Sequence, residues 1–235
     1  MCIRDRNRID VSDPAACNLA KLLQRQAVES ADTDFLIRED KHITFARADA
    51  MSNSLAVGFA DLGLQAGDRV ALYLSGRPEA VLVPFAANKL GAIWTPISTD
   101  YKGEWLADTL VRSRAKLIVT ETSQLPRIEA IRDRLGDETI VVLEDAGAAC
   151  PDDTVSFAAL LANEPRAFDL SGQGPDDVCS ILWTSGTTGT SKGVLQSHAN
   201  WLRPIRLGAT KQFDSQPGDV IYNVLPIFNS AAWVT

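Results

Sequence analysis

The sequence predicts an α/β fold, a mainly parallel sheet flanked by helices on both faces. Two observations carry this. Short, continuously apolar runs recur at Arg69–Leu74, Ala92–Ile97, Leu117–Thr120, Thr139–Leu143 and Val178–Trp183. Runs without polar alternation suit strands buried on both faces. Helix-length segments separate most of them, the rhythm of right-handed βαβ crossovers. With 235 residues and 46% apolar content, the chain can build a large packed core and is unlike a disordered one.

From Ala15 to Ser30, Leu19, Leu22, Leu23 and Ala27 fall on one helix face. Phe35–Arg38 and His42–Phe45 read as two short strands around the polar turn Glu39-Asp40-Lys41. Thr44 is placed to cap a helix over Ala46–Leu62, which Gly63 ends. After the strand Arg69–Leu74, a helix over Pro78–Leu90 carries Pro84, which removes a ladder donor and should kink it. Lys102–Ser113 and Leu125–Leu135 are read as helices, residues 144–154 as a polar loop, and Phe157–Ala162 as a short helix. A Pro/Gly/Asp-rich connection over 163–177 leads into Val178–Trp183. Val220–Leu225 reads as a further strand, and Ser230-Ala-Ala-Trp as the first turn of a helix. Residues 1–16 look poorly structured, and the opening MCIRDR resembles adapter-derived residues at the ends of reading frames assembled from environmental DNA.

Charge and cysteine usage exclude several functions. The net charge is −7, with basic residues interspersed among acids, so the chain lacks the clustered cations that nucleic-acid binding requires. The longest apolar run, AVLVPFAA, falls far short of the ~20 residues that span a bilayer. No apolar segment follows the charged MCIRDRNRID, so no signal peptide is read. Cys2, Cys17, Cys150 and Cys179 form no CxxC pair, and His42 and His198 complete no recognisable zinc site with them. Free thiols in the cytoplasm are the expectation, with no metal site in the chain.

The chemistry sits in Trp183 to Gly193, WTSGTTGTSKG. Glycines at 186, 189 and 193 permit positive φ and let backbone N–H groups approach a ligand closely. Consecutive N–H groups in such a turn make an anion-binding concavity. Thr184, Ser185, Thr187 and Thr188 add hydroxyl donors, and Lys192 a full positive charge on a flexible stem. The segment follows an apolar strand, and open α/β sheets bind ligands beyond the carboxyl ends of their strands. Other phosphate and nucleophile motifs fail. The Walker pattern requires glycine directly before its lysine, and here that residue is Ser191. The nucleophile elbow requires a glycine where Trp183 stands. Gly172-Gln-Gly174 lacks the third glycine of a dinucleotide fingerprint, with Asp177 in its place.

TSGTTGTSKGV resembles the signature loop of the adenylate-forming superfamily, which comprises acyl-CoA synthetases, peptide-synthetase adenylation domains and beetle luciferases. The resemblance extends to Ile43-Thr44-Phe45, to GDRVAL at 67–72, to LGAIWTP at 90–96 and to Leu225-Pro226-Ile227-Phe228, in the family's order, and covers about residues 19–235. It implies ATP-dependent activation of a small carboxylic acid to an acyl-adenylate and pyrophosphate, then transfer to a thiol, commonly that of coenzyme A. It implies that Thr184, Ser185, Gly186, Thr187, Thr188, Gly189 and Lys192 hold the ATP phosphates, with Mg²⁺ sharing the charge. Phe228, Asn229 and His198 become candidate acyl-pocket wall, although a structural role is the plainer reading of His198.

Two residues depart from the family pattern. Ser191 stands where proline is usual before the lysine, and Asn229 where histidine usually follows Leu-Pro-x-Phe. The second departure leaves substrate preference open. Tyr101-Lys102-Gly103-Glu104 loosely resembles the carnitine/crotonobetaine-CoA ligase-like branch. In the family the catalytic lysine, metal-binding glutamate and adenine contacts lie further downstream. Residues 17–235 are therefore expected to be an incomplete AMP-binding large domain that neither binds ATP tightly nor turns over, with apolar surface exposed. An amino-acid-activating domain of a peptide synthetase and a non-catalytic nucleotide-binding module are the alternatives.

Overall fold

The computed structural model describes residues 18–145, 148–184, 191–216 and 218–234. Caps set many of the helix starts. Asn18 accepts the Lys21 amide at 2.7 Å to open α1 (Leu19–Glu29). Thr44 accepts that of Arg47 at 3.2 Å to open α2 (Phe45–Asp61), the predicted cap, while Phe45 itself is helical and not the last residue of a strand. Gly63, at φ 83°, stops the chain after α2 in the left-handed region, as its position predicts. Between α1 and α2, β1 (Asp34–Arg38) and β2 (Lys41–Thr44) form a separate antiparallel hairpin.

The main sheet contains β3 (Arg69–Tyr73), β4 (Ile93–Pro96), β5 (Leu117–Glu121), β6 (Thr139–Leu143), β7 (Val155–Ser156), β8 (Val178–Thr184) and β9 (Lys192–Ser197). Its order is β7-β6-β5-β3-β4-β8-β9. All neighbours are parallel except β8 and β9, which pair antiparallel. The fold class is therefore the one read from the apolar runs. Alternate strand residues face opposite layers. Val70, Leu72, Leu117, Val119 and Val141 join a core with α2, α3 (Pro78–Lys89) and α6 (Phe157–Leu161). Ala71, Tyr73, Ile118, Ile140 and Val142 join a second core under α4 (Gly103–Ser113) and α5 (Leu125–Glu129). In the first core Trp94, fully buried, stacks on Trp201 at 5.4 Å and meets Trp233 at 4.8 Å with the rings tilted by 43°.

Three expectations change. The helix read over Leu125–Leu135 ends at Glu129, and a 3₁₀ turn follows at Arg132–Arg134. Leu125, Ile128 and Ile131 all bury in the second core, and their spacing of three matches the 3₁₀ period better than the α period. Val220–Leu225 forms no strand. Asn223 claims this backbone locally, accepting the Leu225 amide at 2.9 Å and donating to the Ala232 carbonyl at 2.8 Å. Its Val220, Ile221, Tyr222 and Val224 are exposed, as are Val194 and Leu195 on β9, which is the apolar surface expected above. Finally, β9 and α7 (His198–Leu207), with the π-helical turn Gly208–Gln212 after it, were not read from the sequence. Glycine at its second position and a largely exposed face hide β9, and Pro204 interrupts the pattern of α7. The predicted helical turn at the end is α8 (Ala231–Val234).

Candidate phosphate-binding site

The seven residues 185–191 connect two paired strands. Thr184, the last residue of β8, lies opposite Lys192, the first of β9, and the Thr184 hydroxyl donates to the Lys192 carbonyl at 3.4 Å. Both stems of the connection are thereby held at a ladder's width. Because β8 runs parallel to β4, the connection leaves the sheet at the carboxyl ends of its parallel strands, where open α/β sheets bind ligands. Thr184 and Lys192 are exposed there. Ser185, Gly186, Thr187, Thr188 and Gly189, the other candidate phosphate ligands, lie outside the described residues. Gly193 is required by packing, since a Cβ there would sit 2.9 Å from Ile181 Cγ2.

The descending stem is fastened from below. Trp183 Nε1 donates to Thr95 Oγ1 at 2.8 Å, and Thr95 Oγ1 donates to the Ile181 carbonyl at 3.1 Å. Arg112 Nη1, from the last turn of α4, donates to the Ser191 carbonyl at 2.6 Å, and the Tyr101 hydroxyl lies 3.3 Å from Ser191 Oγ. The guanidinium also lies 5.8 Å from the centroid of the Trp183 ring. Tyr101 and Arg112 are 90 and 79 residues from Ser191, so no local signal could have found them.

The candidate pocket residues are placed differently. His198, at the start of α7, is buried, and its Nδ1 accepts the Leu19 amide of α1 at 3.2 Å. No hydrogen bond joins it to Phe228 or Asn229 among the described residues. Burial, opposed by nearby Asp177, lowers its pKa to about 4. A lowered histidine pKa means the unfolded chain binds a proton that the folded one rejects, so stability falls as pH drops from about 6.5 to about 4. The loss approaches about 3 kcal/mol below that window. In His198→Asn, the amide oxygen replaces Nδ1 as acceptor without titrating. We expect urea midpoints between pH 7 and 4 to fall less steeply in that variant, and parallel curves would refute the assignment. Phe228 is half-buried, and the exposed Asn229 accepts the Ala231 amide at 3.0 Å, opening α8. Trp233 of α8 packs against Trp94 with its ring tilted, bringing this segment onto the same core as β4 and α7.

A second, polar cleft of about 390 Å³ lies among the carboxyl ends of β3, β5 and β6 and the β1–β2 turn. Six of its polar residues, Ser75, Arg77, Glu79, Glu121, Ser123 and Asp145, are engaged with one another. The Ser75 and Ser123 hydroxyls donate to the two carboxylate oxygens of Glu121, at 2.8 and 3.1 Å. Arg77 bridges Glu79, Glu121 and Asp145. Among the described residues, no group of three or more His, Cys, Asp or Glu side chains could hold a metal ion. Among the same residues, no helix is long and apolar enough to cross a membrane. Cys150 and Cys179 are free thiols, and burial pushes that of Cys179 up to about 12.

The chain resembles several known proteins over most of its length. The chain is 31% identical over 193 residues to long-chain fatty acid transport protein 1 of Rattus norvegicus, covering 80% of this chain and 30% of that protein. It is 32% identical over 191 residues to crotonobetaine/carnitine–CoA ligase of Salmonella enteritidis, covering 80% and 37%. Among solved structures, an anthranilate CoA ligase in complex with anthranoyl-AMP superposes with a TM-score of 0.76 at 28% identity, over 83% of this chain and 37% of that one. The chain thus spans about a third of the length of these relatives. A model of the AMP-binding enzyme family matches residues 23–235, nearly the whole chain with the β8–β9 hairpin inside it, and the chain belongs to that family.

Proposed function

We propose that this chain is the amino-terminal part of an ATP-dependent acid–thiol ligase, in which the β8–β9 connection holds the β- and γ-phosphates of ATP. The carrying observation is the Thr184–Lys192 pairing. It closes a glycine- and hydroxyl-rich connection at the carboxyl ends of a parallel sheet and sets a lysine at its exit. In the proposed reaction a substrate carboxylate attacks the α-phosphate, and pyrophosphate leaves. Nucleotidyl transfer of this kind depends on positioning and charge neutralisation more than on a protein nucleophile. Lys192 would offset charge on the departing pyrophosphate. Mg²⁺ supplies further positive charge when bound, and no residue of this chain is assigned to it.

Relatives named as CoA ligases support a coenzyme A thioester as product and support acid activation as the first half-reaction. Their span, about three times that of this chain, supports placing the remaining catalytic groups outside it. The test is a panel of carboxylic acids offered with ATP to the full-length protein. We expect acid-dependent pyrophosphate release, and an acyl-CoA product when coenzyme A is added. ATP hydrolysis to ADP and phosphate, or no acid dependence, would overturn the reading.

A further inference from the structure

We infer that Arg112 and Tyr101 are positioning residues for Lys192. They clamp the peptide between Ser191 and Lys192 and so aim the lysine that the loop presents to ATP. This rests on the function proposed above for the β8–β9 connection.

The peptide that joins Ser191 to Lys192 is planar. The Ser191 carbonyl and the Lys192 amide belong to one rigid unit, so fixing the carbonyl fixes the direction in which Lys192 begins. The Arg112 guanidinium donates to that carbonyl at 2.6 Å, a short charge-assisted contact. Tyr101 adds a second point of attachment through Ser191 Oγ at 3.3 Å. Both residues sit on rigid supports. Tyr101 lies against the second core with its ring 5.6 Å from that of Trp105. Arg112 is steadied by Asp108 at 3.3 Å, one helical turn back, and by the Trp183 ring. Trp183 is in turn pinned to β4 through Thr95. The segment before α4 and the last turn of α4 thus converge on the residue immediately before the lysine.

Serine at 191 makes the clamp necessary. A proline there would restrict φ covalently, whereas serine leaves that torsion free and supplies a hydroxyl for Tyr101 to engage. Two hydrogen bonds from elsewhere in the fold replace one ring closure. Arg112 and Tyr101 reach backbone and hydroxyl at the stem, and neither is assigned contact with substrate.

The test compares Arg112→Ala, Tyr101→Phe and the double variant Arg112→Ala/Ser191→Pro in the full-length protein. It uses two readouts, hydrogen exchange at the Lys192–Val194 amides and the KM values for ATP and for the acid. We expect Arg112→Ala to speed that exchange about tenfold or more. The ATP KM should rise by a similar factor while the acid KM and thermal midpoint stay put. Tyr101→Phe should shift the same quantities about threefold. Ser191→Pro, added to Arg112→Ala, should restore most of the ATP KM. Faster exchange with an unchanged ATP KM would overturn the inference. So would a raised ATP KM with unchanged exchange, which would make Arg112 a direct ligand. ATP and acid KM rising together with a falling midpoint would also overturn it, as general destabilisation. If the wild-type protein shows no acid-dependent pyrophosphate release, the proposed function fails separately. The exchange readout alone then decides whether the clamp exists.

Discussion

Replacing Lys192 with alanine is expected to lower the ATP kcat/KM of the full-length protein about 100-fold or more, without measurable loss of stability. Lys192 is exposed at the mouth of the β8–β9 hairpin, and the hydrogen bond at this pair uses its backbone carbonyl, which alanine retains. A surface truncation of this kind changes folding free energy by about 0.5 kcal/mol or less. In the proposed reaction, the side chain would face charge that grows as pyrophosphate departs. Removing one such donor typically costs about 10²–10³ in rate. Lys192→Arg keeps the charge but changes its geometry, so a partial loss is expected. Steady-state kinetics with ATP varied at saturating acid gives the answer. An unchanged kcat/KM in Lys192→Ala would remove the lysine from the mechanism.

The second large effect is on stability. Trp94→Ala is expected to destabilise the fold by about 3–5 kcal/mol, the range for deleting a buried indole. Trp94 sits on β4, fully buried, and forms the centre of an indole cluster with Trp201 of α7 and Trp233 of α8. Helices α7 and α8 therefore meet on one side chain of an interior strand. The cluster is not perfectly satisfied. Trp201 Nε1 donates to Ser180 Oγ at 2.8 Å and Trp233 Nε1 to the Ile227 carbonyl at 2.6 Å, while Trp94 Nε1 is buried without an acceptor among the described residues. An unmet donor carries a desolvation cost. Trp94→Phe removes that donor and keeps an aromatic ring, so its loss should be much smaller, roughly 1–2 kcal/mol. Urea unfolding of both variants separates the effects. Equal losses in the two would mean that ring contact with the neighbouring indoles contributes little.

Particular residues show where sequence reasoning worked. Thr44 before a helical pattern and Gly63 after it marked both ends of α2, because caps are local chemistry. Apolar runs marked the parallel strands because burial on both faces removes polar alternation. Expectations failed where tertiary context decides. Leu125, Ile128 and Ile131 look helical, but the wall of the second core takes them at a spacing of three. Val220–Leu225 has strand composition, but composition supplies no partner, and Asn223 draws its backbone into a turn. Within the candidate site, Thr184 and Lys192 are singled out by residue type and order, and the structure places them opposite each other at the ends of β8 and β9. Their closure by a hairpin was not legible, since β9 presents an exposed face and lacks a buried pattern. Nor were Tyr101 and Arg112, which reach Ser191 across 90 and 79 residues of sequence. His198 stood beside the motif in sequence, and folding spends its acceptor on α1.

The central claim is that the β8–β9 connection grips the phosphates beyond the α-position. Equilibrium binding of ATP and of AMP to the full-length protein and to Lys192→Ala tests it most directly, because AMP lacks the groups that Lys192 is said to hold. We expect the substitution to weaken ATP about tenfold or more and to leave AMP unchanged. Equal weakening of both nucleotides, or of neither, would contradict the account.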